Sequence, residues 1–101
     1  MTQQVIDIQE FINRHARWAE VKFPDETVEH KLIHLKKEVD EVIACPKDLH
    51  EWADVTMLLF NALHRSNYNF AQLFMAMEEK FIICQQRKKW KKTVDGDYQH
   101  E

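Results

Sequence analysis

An all-α fold of four helices is the expectation for this chain, and three observations carry it. Apolar residues recur at helical spacing in four separate stretches, the links between those stretches are short, and turn-forming residues are scarce. A single glycine, Gly96, and two prolines, Pro24 and Pro46, leave little of the chemistry that hairpins need. At 101 residues the chain predicts one domain over residues 1–92, with 93–101 as a flexible C-terminal tail. Hydrophobic residues make up 45% and charged residues 31%, a globular rather than a disordered balance. A domain of this size buries only roughly two-thirds of its unfolded surface, so self-association is expected.

Val5, Ile8, Phe11, Ile12, His15 and Ala19 place a first helix over residues 4–20, with Trp18 adding apolar surface near its end. Phe23-Pro24-Asp25 then breaks the pattern, and Asp25 reads as the N-cap of the next helix. Val28, Leu32, Leu35, Val39, Val42 and Ile43 form the second stripe, which Cys45-Pro46-Lys47 stops because proline cannot continue the hydrogen-bond ladder. Asp48 caps a third helix with the stripe Leu49, Trp52, Val55, Leu59, Ala62 and Leu63. The link between the second and third helices is short, so they are expected to pack as an antiparallel hairpin. Arg65-Ser66-Asn67-Tyr68-Asn69 reads as a turn. The fourth helix carries Phe70, Leu73, Phe74, Met77, Phe81 and Cys84 and is expected to end near Trp90. Thr93-Val94-Asp95-Gly96-Asp97 then turns into the tail.

The net charge of −3 gives no global argument for nucleic acid or an anionic membrane, and neither is expected as a partner. Cys45 and Cys84 have no disulfide-framework spacing and are expected to stay reduced. No signal pattern opens the chain, and no apolar run approaches the roughly 20 residues that span a bilayer. The expected setting is cytoplasmic.

Two acidic pairs carry the chemistry. Glu38-x-x-Glu41 falls on one edge of the second stripe, and Glu51-x-x-Asp54 borders the third in the same way. Facing helices with such edges present four carboxylates to one point, where like charges repel unless a cation lies between them. Oxygen donors without a thiolate suit a hard divalent ion, Mg²⁺ or Mn²⁺. The bland reading is a pair of solvated edges, with Glu51 spent on a capping box begun by Asp48. His30, His34 and Glu38 stand at successive i, i+4 positions, a zinc spacing for which no further nitrogen or sulfur ligand is evident. Lys80 either snorkels from an apolar segment or enters a polar pocket. Arg87, Lys88, Lys89, Lys91 and Lys92 either suit the negative pole of a helix or clamp phosphate oxygens.

The stretch His34-Leu35-Lys36-Lys37-Glu38-Val39-x-Glu41, followed by Pro46-x-x-Leu49-x-Glu51-Trp52-Ala53-Asp54-Val55, resembles the MazG-like superfamily of all-α nucleoside triphosphate pyrophosphohydrolases. Within it the chain is most similar to the dATP/dGTP diphosphohydrolase branch. The likeness continues through Leu63-x-Arg65, Lys80, Arg87, Trp90 and the Asp95-Gly96 to His100 ending, and so covers nearly the whole chain. Two positions depart from the pattern: Lys37 replaces the first of a glutamate pair, and Cys84 stands where asparagine is usual. The second departure leaves substrate preference open.

This resemblance implies a dimer or dimer of dimers, hydrolysing a (deoxy)nucleoside triphosphate to the monophosphate and pyrophosphate. It maps the magnesium ligands onto Glu38, Glu41, Glu51 and Asp54, with Glu38 or Glu41 taking the proton of the attacking water. Lys80, Arg87 and Trp90 become the substrate-binding residues. The rival from another class is a non-enzymatic helical dimer, an adaptor or inhibitor whose acidic edges are merely solvated.

Overall fold

A computed structural model of the protein describes residues 6–87 and 90–100; Val5 of the first predicted stripe and Lys88 and Lys89 of the basic cluster lie outside the described residues. Four helices follow one another: α1 (Ile8–Lys22), α2 (Val28–Ala44), α3 (Leu49–Arg65) and α4 (Phe70–Gln86). Two short strands come after them, β1 (Trp90–Lys92) and β2 (Tyr98–His100). Contacts divide the chain into two compact units, one ending at Phe70 and the other beginning at Ala71.

In the first unit α1 packs on α3, and α3 packs on α2. The start of α1 is set by Asp7, whose carboxylate accepts the Glu10 backbone N–H at 3.0 Å. Ile12, Ala16 and Ala19, one face of α1, are buried together with Val42 of α2 and Ala62 of α3. The expected N-cap at Asp25 is corrected to Thr27. Asp25 lies in the turn that follows α1. Thr27 instead accepts the His30 N–H at 3.1 Å, while the His30 ring accepts the Thr27 N–H at 3.3 Å, a capping box with imidazole in the usual carboxylate role.

The α2–α3 hairpin is pinned at its bend. Cys45 donates its N–H to the Glu41 carbonyl at 3.0 Å, and Asp48 donates to the Cys45 carbonyl at 3.1 Å. The Trp52 indole N–H reaches back to the Pro46 carbonyl at 2.8 Å. Asp48 caps α3 as expected, through the His50 N–H at 3.0 Å. Beyond α3, Asn67 adopts φ 67°, the left-handed conformation that asparagine tolerates at a helix exit. Gln9 of α1 accepts the Phe70 N–H at 2.7 Å, and the Phe60 and Phe70 rings meet edge to face at 5.9 Å.

In the second unit α4 ends at Gln86, short of the expected end near Trp90. Its last turn tightens, with the Arg87 N–H on the Cys84 carbonyl at 3.3 Å. The last residues of the predicted domain, Trp90–Lys92, pair with Tyr98–His100 of the predicted tail in a two-stranded antiparallel hairpin, Trp90 opposite His100 and Lys92 opposite Tyr98. Thr93 donates to the Asp97 carbonyl at 2.7 Å, and Gly96 at φ 93° supplies the backbone freedom the turn demands. One glycine is enough when it occupies the one position that needs it. Among the described residues no helix is long and apolar enough to cross a membrane.

Candidate metal centre

Glu38 and Glu41 come from α2, and Glu51 and Asp54 from α3, on the two arms of the pinned hairpin. Glu38, Glu41 and Glu51 converge: each places a carboxylate oxygen within 4.8 Å of the others. They are the one such group of three among the described residues. Asp54 stands beside this trio rather than within it, close enough for its charge to act on Glu51.

Crowding shows in the protonation of the trio. The Glu51 carboxyl is held above the usual value of 4.5, first by its hydrogen bond with Glu41, then by desolvation and by the charges of Glu41, Asp48 and Asp54. Carboxylates crowded this closely repel, and a cation placed between them relieves that repulsion. Glu38 is oriented from outside, because the His34 Nε2 lies 3.0 Å from its Oε1. That leaves Glu38 Oε2 buried with no hydrogen-bond partner, and Glu51 Oε2 is in the same condition. Buried carboxylate oxygens without partners are costly, and a hard cation satisfies both at once. The donor set fits a divalent ion.

The capping box expected at Asp48 and Glu51 does not form. Asp48 spends its carboxylate on His50, and Glu51 turns to Glu41 instead. His30 and His34 are likewise engaged, one in the Thr27 cap and the other on Glu38. Lys80 is exposed on α4, and Arg87 is half-buried at its end. Trp90 donates its indole N–H to the Arg87 carbonyl at 3.2 Å, so these two expected substrate-binding residues are physically linked. All three belong to the second unit.

A cavity of about 390 Å³ opens beside the carboxylates, with Glu38 and Asp54 on its wall. Its other walls hold Trp18, Phe23, Glu26, Lys31 and Asn61, none of which the sequence reading marks as functional. Lys31 is 1% exposed and Asn61 is 4% exposed. The signal was present: Lys31 lies on the same face as Val28 and Leu35, and Asn61 follows Asp54 and Leu58 at helical spacing. A charged or amide side chain on an apolar stripe is the informative exception.

The dATP/dGTP pyrophosphohydrolase family matches residues 11–101. A dATP/dGTP diphosphohydrolase of Salmonella phage PMBT28 is 33% identical over 100 residues, which cover 98% of this chain and 32% of that protein. The chain therefore spans about a third of the length of that relative. Among solved structures, the cyanophage S-2L MazG-like pyrophosphohydrolase, bound to dGDP and three catalytic Mn²⁺ ions per active site, shares the fold with a TM-score of 0.79. That likeness covers 96% of this chain and 99% of the other at 24% identity.

Proposed function

The chain belongs to the dATP/dGTP pyrophosphohydrolase family, and on that premise we propose that it hydrolyses a purine deoxynucleoside triphosphate to the monophosphate and pyrophosphate. The observation that carries this reading is the meeting of Glu38, Glu41 and Glu51, with two buried carboxylate oxygens left without partners. With Asp54 alongside, they would hold Mg²⁺ or Mn²⁺. The cyanophage protein, which shares this fold and binds Mn²⁺ ions and dGDP, supports a divalent ion and a nucleotide as ligands.

An ion held by these carboxylates would supply charge against the phosphates and make a nearby water easier to deprotonate. Glu38 or Glu41 accepts the proton of the water that attacks the α-phosphorus in line. The bond from that phosphorus to its bridging oxygen breaks, and that oxygen leaves with pyrophosphate. His34 keeps the Glu38 carboxylate turned so that one oxygen remains free for this work. Lys80 and Arg87 bind phosphate oxygens and neutralise the charge that gathers on the leaving group. Trp90 holds the Arg87 backbone and so fixes the start of the guanidinium stem.

The active form is a homodimer or a dimer of dimers. On α4, Phe74, Met77 and Phe81 are 48%, 53% and 61% exposed, and Ile43 on α2 is 71% exposed. Apolar surface on that scale is what association covers. Light scattering at micromolar concentration reads the assembly directly.

The decisive experiment incubates the protein with dGTP and dATP in millimolar Mg²⁺ or Mn²⁺ and assays the first product. Pyrophosphate is expected, abolished by chelator. Orthophosphate as the direct product, or no turnover with either ion, sinks the reading.

A further inference from the structure

The cavity beside the carboxylates has two kinds of wall, and the second kind reads as a recognition surface. Its walls include Glu38 and Asp54, two of the acids assigned to the ion in the reading above. They also include Trp18 and Phe23, which meet edge to face with ring centres 5.8 Å apart, a rigid aromatic corner. His15 lies 6.0 Å from Trp18 in a stacked arrangement, and burial followed by the Lys31 charge pushes it toward the neutral form. A flat aromatic ligand suits such walls.

The same cavity is lined by a set of polar groups. The Lys31 ammonium bonds Glu26 Oε1 at 2.6 Å. Arg65 holds the same residue from behind, donating to the Glu26 carbonyl at 2.7 Å. The hydrogen bond from Lys31 keeps the Glu26 carboxyl below its usual range, and Glu26 therefore stays an acceptor on both oxygens. Asn61, 4% exposed, lines the same cavity. An amide on a cavity wall can both donate to and accept from a ligand held there.

We propose that Glu26, Lys31 and Asn61 form the nucleobase-reading end of the site and select guanine over adenine. This inference rests on the pyrophosphohydrolase reading and deepens it. The guanine edge carries two adjacent donors, N1–H and the N2 amino group, next to one acceptor, O6. A carboxylate takes the two donors as a bidentate pair, while the neighbouring ammonium donates to O6. Oε1 still accepts while bound to Lys31, since each carboxylate oxygen has a further lone pair. Asn61 supplies an amide donor to one of the remaining ring nitrogens, N3 or N7, which are acceptors. Adenine offers one donor and one acceptor along the same edge, and leaves a carboxylate oxygen against a C–H. Sites built on hydrogen bonds reject the analogue that strands their buried groups.

The test compares kcat/KM for dGTP, dITP and dATP in the wild-type protein and in Glu26→Gln, with thermal midpoints recorded alongside. Wild type is expected to prefer dGTP over dATP by roughly tenfold to 100-fold. dITP, which lacks only the 2-amino group, should fall between them. Glu26→Gln should bring the dGTP-to-dATP ratio close to one, a change that mere loosening of the fold would not produce. Equal rates on dGTP and dITP in the wild type overturn the proposal without any variant. A ratio retained in folded Glu26→Gln overturns it too. Quenching of Trp18 fluorescence by dGMP and dAMP, without metal and against a Trp18→Phe control, reads the same preference apart from turnover. An active but base-blind enzyme sinks only this inference, whereas a protein inactive on every triphosphate that still binds dGMP over dAMP sinks only the reaction.

Discussion

Glu41 and Glu51, carried by separate arms of the α2–α3 hairpin, bring carboxylate oxygens within 4.8 Å of one another. Two carboxyl groups meet this way only if a proton, or something with equivalent charge, sits between them. The bend that forces them together is itself secured, by the Trp52 indole on the Pro46 carbonyl and by the Asp48 cap. The fold therefore holds a repulsive contact in place, and the predictions below follow from what relieves it.

Divalent metal should stabilise the protein. At 100 times its dissociation constant an ion bound only by the folded state adds about 2.7 kcal/mol. Thermal melts in millimolar Mg²⁺ and Mn²⁺ should show the midpoint rise, and Glu41→Gln should abolish the rise. A midpoint indifferent to both ions in the wild type argues against the site.

Glu41→Gln and Asp54→Asn should each lower turnover by about 100-fold or more, since metal ligands matter at least as much as the groups around them. Helical circular dichroism should be unchanged. Without metal, Glu41→Gln should melt at the same temperature or higher, because a neutral amide removes the crowding on Glu51. Full turnover in both variants contradicts the assignment.

Thr27→Ala removes the hydroxyl that caps α2 and should cost about 1 kcal/mol. Calorimetry should place the midpoint roughly 4–8 °C lower. The backbone N–H that the His30 ring accepts survives this change, but the two bonds order the same turn, so Thr27→Ala combined with His30→Ala should not cost the simple sum of the two single changes.

Acid should reveal the Glu26–Lys31 pair. The Lys31 hydrogen bond depresses the folded-state pKa of Glu26 below its ordinary 4.5. Its stabilising contribution is thus complete above 4.5 and is lost as pH falls through the depressed value. The midpoint advantage of wild type over Glu26→Gln should be constant near neutrality and shrink in acid below that ordinary value. An advantage that grows in acid would show that the pair does not lower the Glu26 pKa.

Arg87→Ala should lower kcat/KM for the triphosphate by about tenfold or more, through the loss of a charge-assisted bond to phosphate. Steady-state kinetics at fixed metal concentration check this. Unchanged kinetics in Arg87→Ala and Lys80→Ala alike would remove the second unit from catalysis.

Much of this protein was legible from spacing alone. The apolar periods located four helices, the Cys45-Pro46 break located the hairpin, and Asp48 announced its cap. The acidic pairs stood out because carboxylates rarely border an apolar stripe twice in succession. Errors came where local chemistry had two solutions of similar energy. Asp25 and Thr27 are both good caps, and only the path of the turn after α1 favoured Thr27. The C-terminal strands escaped notice because three-residue strands carry no period that a sequence can display.

Sequence by itself determined which residues are helical and which edges are charged, since both follow from side chains a few positions apart. Tertiary structure alone decided that Glu51 leaves its own cap for Glu41, and that Lys31, Glu26 and Asn61 line one cavity. The physical reason is range. Helix formation and capping are settled within a turn or two, whereas these contacts depend on the angle and depth at which whole helices pack.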